Sequence, residues 1–155
     1  MRLILQRVTS AAVSWESEGR AERRAIAQGL AILAGAGEGD TTADAQRLAD
    51  KVAKLRIFRD ESGRSNLSLL DVGGSALVVS QFTLYGDLKG GRRPSFIAAG
   101  EPGAAEPIVD AFAAALSALG VPTETGRFGA HMTLEIVNDG PVTFAVSSDS
   151  WDTRV

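Results

Sequence analysis

Ser80, Gln81 and Thr83 follow one another closely in SQFTLYGD, residues 80–87, with Phe82 between them. They come where the apolar run ALVV ends, so hydroxyl and amide groups emerge at the end of a core strand, rigidly held beside a loop. Side chains so placed can position a polar substrate, and backbone N–H groups released from a strand ladder there can face a developing oxyanion. Taken alone, the stretch also describes a strand leaving the core. Near the other end of the chain VNDGPVT, residues 137–143, stands between the apolar segments MTLEIV and FAV. Asn138, Asp139 and Gly140 tolerate positive φ, and Pro141 fixes φ and removes a donor, so the local reading is a hairpin loop.

Other chemistries lack their parts. GAGEGD, residues 35–40, lies between a strand and a helix, where a phosphate loop would sit, but its glycines fall at alternate positions and no Lys follows. Neither the dinucleotide fingerprint nor the P-loop is met, and a plain connector is expected. His131, the single His, has no acidic or nucleophilic neighbour at a recognised spacing, and the nucleophile elbow G-x-S-x-G is missing, so a serine triad fails. With no Cys and one His, disulfides, thiolate metal sites and His-rich metal sites are excluded, and no cofactor is expected.

These groups depend on the elements around them. RLILQRVTSAAVSW predicts a strand to about residue 15, turning through ESEGR into a more polar strand that ends near residue 27. GLAILAGAG suits a buried strand, and Leu48, Val52 and Leu55 recur at helical spacing over 43–55, with Thr41 or Thr42 as cap and Lys51, Lys54 and Arg56 favouring the end. RDESGRSN is a turn cluster; SALVVSQFTLY is the clearest strand; GDLKGGRRPSF is irregular. Val109, Phe112, Leu116 and Leu119 predict a helix over 107–119 that stops at Gly120. HMTLEIV and VTFAV complete the sheet, leaving SSDSWDTRV as a frayed tail. The expectation is an α+β fold: a curved, largely antiparallel sheet or barrel covered by two main helices, one domain over 1–147 and a C-terminal tail over 148–155.

A chain of 155 residues with 45% hydrophobic content can bury one core. Its formal charge of −3 argues against coating nucleic acid through a broad basic face. Nucleic-acid contact should be local, from Arg20, Arg23 and Arg24 in GRAERR or from Lys89, Arg92 and Arg93 in LKGGRRPSF. The apolar runs fall short of the ~20 residues of a membrane span, and MRLILQRVTS lacks a signal-peptide core, so a cytoplasmic protein without membrane contact is expected.

The motifs also form a series. SQFTL (80–84), GRRPSF (91–96), TGRFGA (125–130) and NDGPVTF (138–144) follow an N-terminal LQRVTSAAV in that order. Together they resemble the D-aminoacyl-tRNA deacylase family, the D-tyrosyl-tRNA deacylases of the widespread bacterial and eukaryotic type, over nearly the whole chain. The resemblance implies hydrolysis of the ester joining a D-amino acid to the 3′-terminal adenosine of tRNA, a proofreading step in translation quality control. It implies a homodimer with active sites at the subunit interface, no cofactor, and the tRNA 3′ end as partner. By resemblance Ser80, Gln81, Phe82 and Thr83 line the site, and Gly140-Pro141 is a Gly-cis-Pro element projecting into the partner's pocket.

Chemistry agrees with those parts. An aminoacyl ester is already reactive, so positioning, an oxyanion donor and a placed water suffice, and the family's substrate 2′-hydroxyl helps activate the water. Without a base, Thr83 is a poor nucleophile and is assigned orientation. A rigid Gly-Pro wall, with its carbonyls turned one way, excludes an L side chain; glycine has none to exclude, so glycyl-tRNA is a second expected substrate. Arg7 matches a family arginine bracing the Gly-Pro loop. Gly86, Arg92 and the tail after Ser147 depart from the family pattern. Two other classes stay open from residues alone: a nucleotide-binding module using GAGEGD, and an inert dimer that binds RNA ends.

Overall fold

The alternating stretch near the start of the chain forms β1 (Arg2–Ser17), around which the sheet is organised. The structure, a computed structural model, describes residues 1–151. A tight turn at Glu18 and Gly19, both with positive φ, reverses the chain into β2 (Arg20–Ile26), which pairs with the second half of β1. The apolar run that follows is β3 (Gly29–Gly35); it pairs antiparallel with the first half of β1, Leu3 opposite Ala34.

Helix α1 (Thr42–Lys54) starts at a capping box in which Thr41 and Asp44 satisfy each other's backbone amides. A small hairpin, β4 (Phe58–Arg59) and β5 (Ser65–Leu67), leads to β6 (Ser75–Ser80), which lies parallel to β3. Helix α2 (Pro102–Ala118) is followed by β7 (Thr123–Thr125), parallel to β6, and β8 (Met132–Ser147), antiparallel to β1 along its other edge. The result is the expected α+β architecture: a curled, mostly antiparallel sheet with both helices on one side. One apolar cluster lies between sheet and helices, around Leu5, Ile32, Leu48, Phe112 and Leu116; another fills the inside of the curl, around Val13, Trp15, Ile26 and Leu77.

Three local expectations change. α2 begins at Pro102, five residues before the expected start at Pro107. Pro107 removes one ladder bond, but its helix goes on burying Ala105 and Ile108, and the C-terminus closes as expected, with Val121 N–H to the Leu116 carbonyl at 3.1 Å and Gly120 at φ 92°. The strand SALVVSQFTLY ends at Ser80, and Phe82–Tyr85 is a 3₁₀ turn. The Gln81 amide still donates to the Ala34 carbonyl at 2.8 Å; beyond it the chain coils back, Leu84 N–H reaching the Gln81 carbonyl.

The third change is the largest. VNDGPVT is no hairpin, because both flanking halves belong to β8 and pair with the same strand, from Trp15 opposite Met132 to Arg2 opposite Ser147. Between Asn138 opposite Val8 and Thr143 opposite Gln6, the four residues 139–142 of β8 stand against Arg7 alone in β1. The excess is a bulge facing Arg7, and the missing Pro141 donor costs nothing where the ladder is already open. At the C-terminus, where a frayed tail was expected, Ser148 N–H donates to the Met1 carbonyl at 2.9 Å and Asp149 pairs with Arg2 at 3.1 Å. The last four residues of that tail, 152–155, lie outside the described residues.

Candidate active site

The 3₁₀ turn is where the sheet runs out into a cavity. The parallel ladder closes at Ala34 opposite Ser80, and Gly35 permits the approach of the turn: a Cβ there would stand 2.7 Å from the Gln81 carbonyl oxygen. Ser80, Gln81 and Phe82 line a cavity of about 510 Å³, whose other walls include Leu33, Val109, Phe128, His131 and Met132. Among the described residues Ser80, Gln81 and His131 are the polar side chains that line it, so a bound group would be oriented by few, defined contacts. Thr83 lies outside the lining, its hydroxyl joined to the Gln81 side-chain amide by a hydrogen bond. Phe82 is 57% exposed and packs edge-to-face with Phe96, centroids 5.0 Å apart.

Behind the turn is a polar anchor. Tyr85 donates its hydroxyl to Asp40 at 2.9 Å; Asp40 also accepts from the Gly37 amide at 2.6 Å, from Ser148 Oγ at 3.0 Å and from the Met1 ammonium. Arg2 donates to the Leu84 carbonyl at 3.0 Å and stacks over the Tyr85 ring at 4.2 Å. Burial alone would raise the Asp40 pKa, but hydrogen bonds from the ammonium, Gly37 and Tyr85 outweigh it and hold the carboxyl below its ordinary range. Burial, and the bond to that carboxylate, push the Tyr85 phenol far up, so it remains a donor.

This gives GAGEGD its use. A Cβ at Gly37 would lie 2.3 Å from the Tyr85 ring, and the Gly37 amide is taken by Asp40. The glycines admit a side chain of the protein itself, consistent with the connector reading.

The bulge forms a second group. Arg7, 2% exposed, donates from Nε to the Asp139 carbonyl at 3.2 Å and from Nη1 to the Ile57 carbonyl at 2.5 Å, and it forms an ion pair with the Asp139 carboxylate at 2.9 Å. Gln6 donates to Asn138 Oδ1 at 3.1 Å. The Gly140-Pro141 bond is cis, both residues are exposed, and a Cβ at Gly140 would meet the Val142 amide nitrogen at 2.7 Å. Neither residue, nor Arg7, lines the cavity. The protomer thus brings Ser80, Gln81, Phe82 and Thr83 together, and Arg7 with Gly140-Pro141, but does not join the two groups. Sequence reasoning missed Arg2, Asp40 and Tyr85, and set His131 aside; the alternate glycines ending in an acid were the one local signal. Among the described residues no His, Cys, Asp and Glu cluster is placed to hold a metal, and no helix is long and apolar enough to cross a membrane.

The family model described as D-Tyr-tRNA(Tyr) deacylase matches residues 4–147. The chain belongs to this family. It is 58% identical to a D-aminoacyl-tRNA deacylase of Thermomicrobium roseum over 148 residues, 96% of this chain and 94% of that protein. One from a Roseiflexus species is 57% identical with the same coverage. A solved structure of the c-Myc DNA unwinding element binding protein superposes with a TM-score of 0.87 at 35% identity, covering 97% of this chain and all of that one. A probable eukaryotic D-amino acid tRNA deacylase superposes with a TM-score of 0.77 over 94% of this chain and 97% of its own; at 18% identity this likeness shows the deacylase fold alone.

Proposed function

We propose that this deacylase hydrolyses the ester of D-aminoacyl-tRNA, and that of glycyl-tRNA, at a site built from two protomers. The observation that carries the reading is the family match over residues 4–147, which spans both the cavity turn and the bulge. The esterified amino acid and terminal adenosine enter the cavity beside Ser80, Gln81 and Phe82. Amides at the start of the turn Phe82–Tyr85 have no acceptor within the turn and serve as donors to the tetrahedral oxyanion. Water adds to the ester carbonyl, assisted by the 2′-hydroxyl of the substrate, and the 3′-hydroxyl of tRNA leaves with a proton. Thr83 holds the Gln81 amide in place rather than attacking.

Gly140-Pro141 is the wall that tests handedness, and it acts in the partner's cavity. Three features support this: the element is exposed, it is braced from behind by buried Arg7, and it stands outside its own protomer's cavity. The outer edge of β8 has no partner strand among the described residues and carries exposed Val137 and Phe144, as a subunit interface would. An L side chain strikes the wall, a D side chain points away, and glycine passes. In this reading the protein acts in the cytoplasm as a homodimer. Ester loss from D-tyrosyl-, L-tyrosyl- and glycyl-tRNA tests it: the first and third are expected to be hydrolysed and the second spared, whereas equal D and L rates contradict the reading.

A further inference from the structure

The turn that carries Phe82 runs directly into a second feature. Asp87 and Ser95 exchange backbone bonds of 2.8 and 2.9 Å, closing residues 88–94 into a protruding tip. The base of the tip is tied back to the strand-to-helix connector, Glu38 N–H to the Ala98 carbonyl at 3.1 Å and Gly100 N–H to the Ala36 carbonyl at 3.0 Å. The base of the tip is therefore held at the cavity mouth.

Its composition is unlike the rest of the surface. In a chain of net charge −3, segment 86–98 carries Lys89, Arg92 and Arg93 against Asp87 alone. Arg92 and Arg93 are exposed, and no ion pair among the described residues engages either. Of the seven exposed large hydrophobic side chains among the described residues, four lie here or at the adjoining turn: Phe82, Leu88, Phe96 and Ile97. Gly86 lets Phe96 lie close, since a Cβ there would stand 3.1 Å from its ring, and the Phe82–Phe96 pair leaves both rings partly open to solvent. Open aromatic rings beside unpaired guanidinium groups are the pattern that binds single-stranded nucleic acid, bases stacking while cations meet phosphates.

We infer that the tip 88–94 and the Phe82–Phe96 pair form the docking surface for the unpaired 3′ strand of tRNA, with Arg92 and Arg93 on its phosphates and the exposed aromatic ring of Phe96 under a base. This rests on the proposed site: when the terminal residue fills the cavity, the strand leaving it passes the cavity mouth, and its charge is opposite to that of the tip. A minimal substrate ending at the terminal nucleoside, D-tyrosyl-adenosine, has the same ester and no phosphates.

Comparing kcat/KM for D-tyrosyl-tRNA and D-tyrosyl-adenosine in the intact protein and in the Arg92→Gln/Arg93→Gln variant tests the surface. The ratio of the two values is expected to fall about tenfold at low salt, and the slope of log KM for tRNA against log salt to flatten by ~1.4, two single-strand phosphate contacts. An equal fall on both substrates, an unchanged ratio, or a changed dimer fraction in sedimentation overturns the inference; the last outcome would make the tip an interface between copies. Salt titration of the intact protein gives a second reading, in which tRNA turnover falls with salt and adenosine ester turnover does not. An intact protein inactive on both substrates would sink the site reading itself, whereas an active protein with an unchanged ratio sinks only this surface.

Discussion

Arg7→Lys keeps the charge and nearly the length of a side chain that is 2% exposed, yet it should not be tolerated. The guanidinium reaches two places at once, the Ile57 carbonyl through Nη1 and the Asp139 backbone and carboxylate through Nε. A single ammonium cannot span both. If it keeps Asp139, the buried Ile57 carbonyl loses its donor, at about 1–3 kcal/mol. If it keeps Ile57, the ion pair is lost; Asp139 is 40% exposed, so water replaces most of it and the loss is about 1 kcal/mol or less. The lysine takes the cheaper of the two, and with imperfect packing of the shorter head a destabilisation of about 1–2 kcal/mol follows, read as a lower urea midpoint at unchanged slope and fixed protein concentration. The bulge should loosen with it, so L-tyrosyl-tRNA hydrolysis should rise relative to D. A loss under about 0.5 kcal/mol together with an unaltered D/L ratio would refute the bracing role, since that is the range of surface substitutions.

Other expectations follow from the same contacts. Gly35→Ala pushes a Cβ to 2.7 Å from the Gln81 carbonyl oxygen, so deacylation should fall more than tenfold with the circular dichroism spectrum retained; full activity would show the turn is not held there. Thr83→Ala should keep measurable activity, because the hydroxyl only supports Gln81; complete loss in a folded variant would restore a threonine nucleophile. The Asp40 carboxyl is held below its ordinary value of 3.8 in the folded chain, so its contribution is present above that pH and disappears as pH falls through the lowered value. Urea midpoints of the native chain and of Asp40→Asn should accordingly differ most above pH 4 and converge in acid, and parallel curves would exclude the anchor.

Much of this was legible locally. The Thr41 cap, the Leu48–Val52 stripe and the Gly120 stop each depend on neighbours within a turn or two, and each stands where the residues put it. Pro107 hid the true start of α2 because the local cost of proline is visible in sequence while the burial that offsets it is not. SQFTLY has strand-forming residues, but its partner ladder ends at Ala34, forty-six residues upstream of Ser80 in the pairing, so nothing nearby announces the 3₁₀ turn. The Asn-Asp-Gly-Pro signal did mark a break, and only the length of β1 decided between hairpin and bulge. Ser80, Gln81 and Thr83 stood out as candidates by residue type and Phe82 by family pattern; the fold brings the four together, with all but Thr83 lining the cavity. Asp40 with Tyr85 did not stand out, since the two are forty-five positions apart and meet through the fold alone.

The central claim is that the wall of one protomer completes the cavity of the other, and mixed dimers test it directly. Gly140→Val displaces the wall and leaves the cavity intact; Gln81→Trp fills the cavity mouth and leaves the wall intact. Co-refolding the two should restore hydrolysis of D-tyrosyl-tRNA that spares L-tyrosyl-tRNA, to about one quarter of the native sites, because half of the dimers are mixed and each carries one complete site. A mixture no more active or selective than its separate parts, when native protein treated alike recovers fully, would contradict a site shared between subunits.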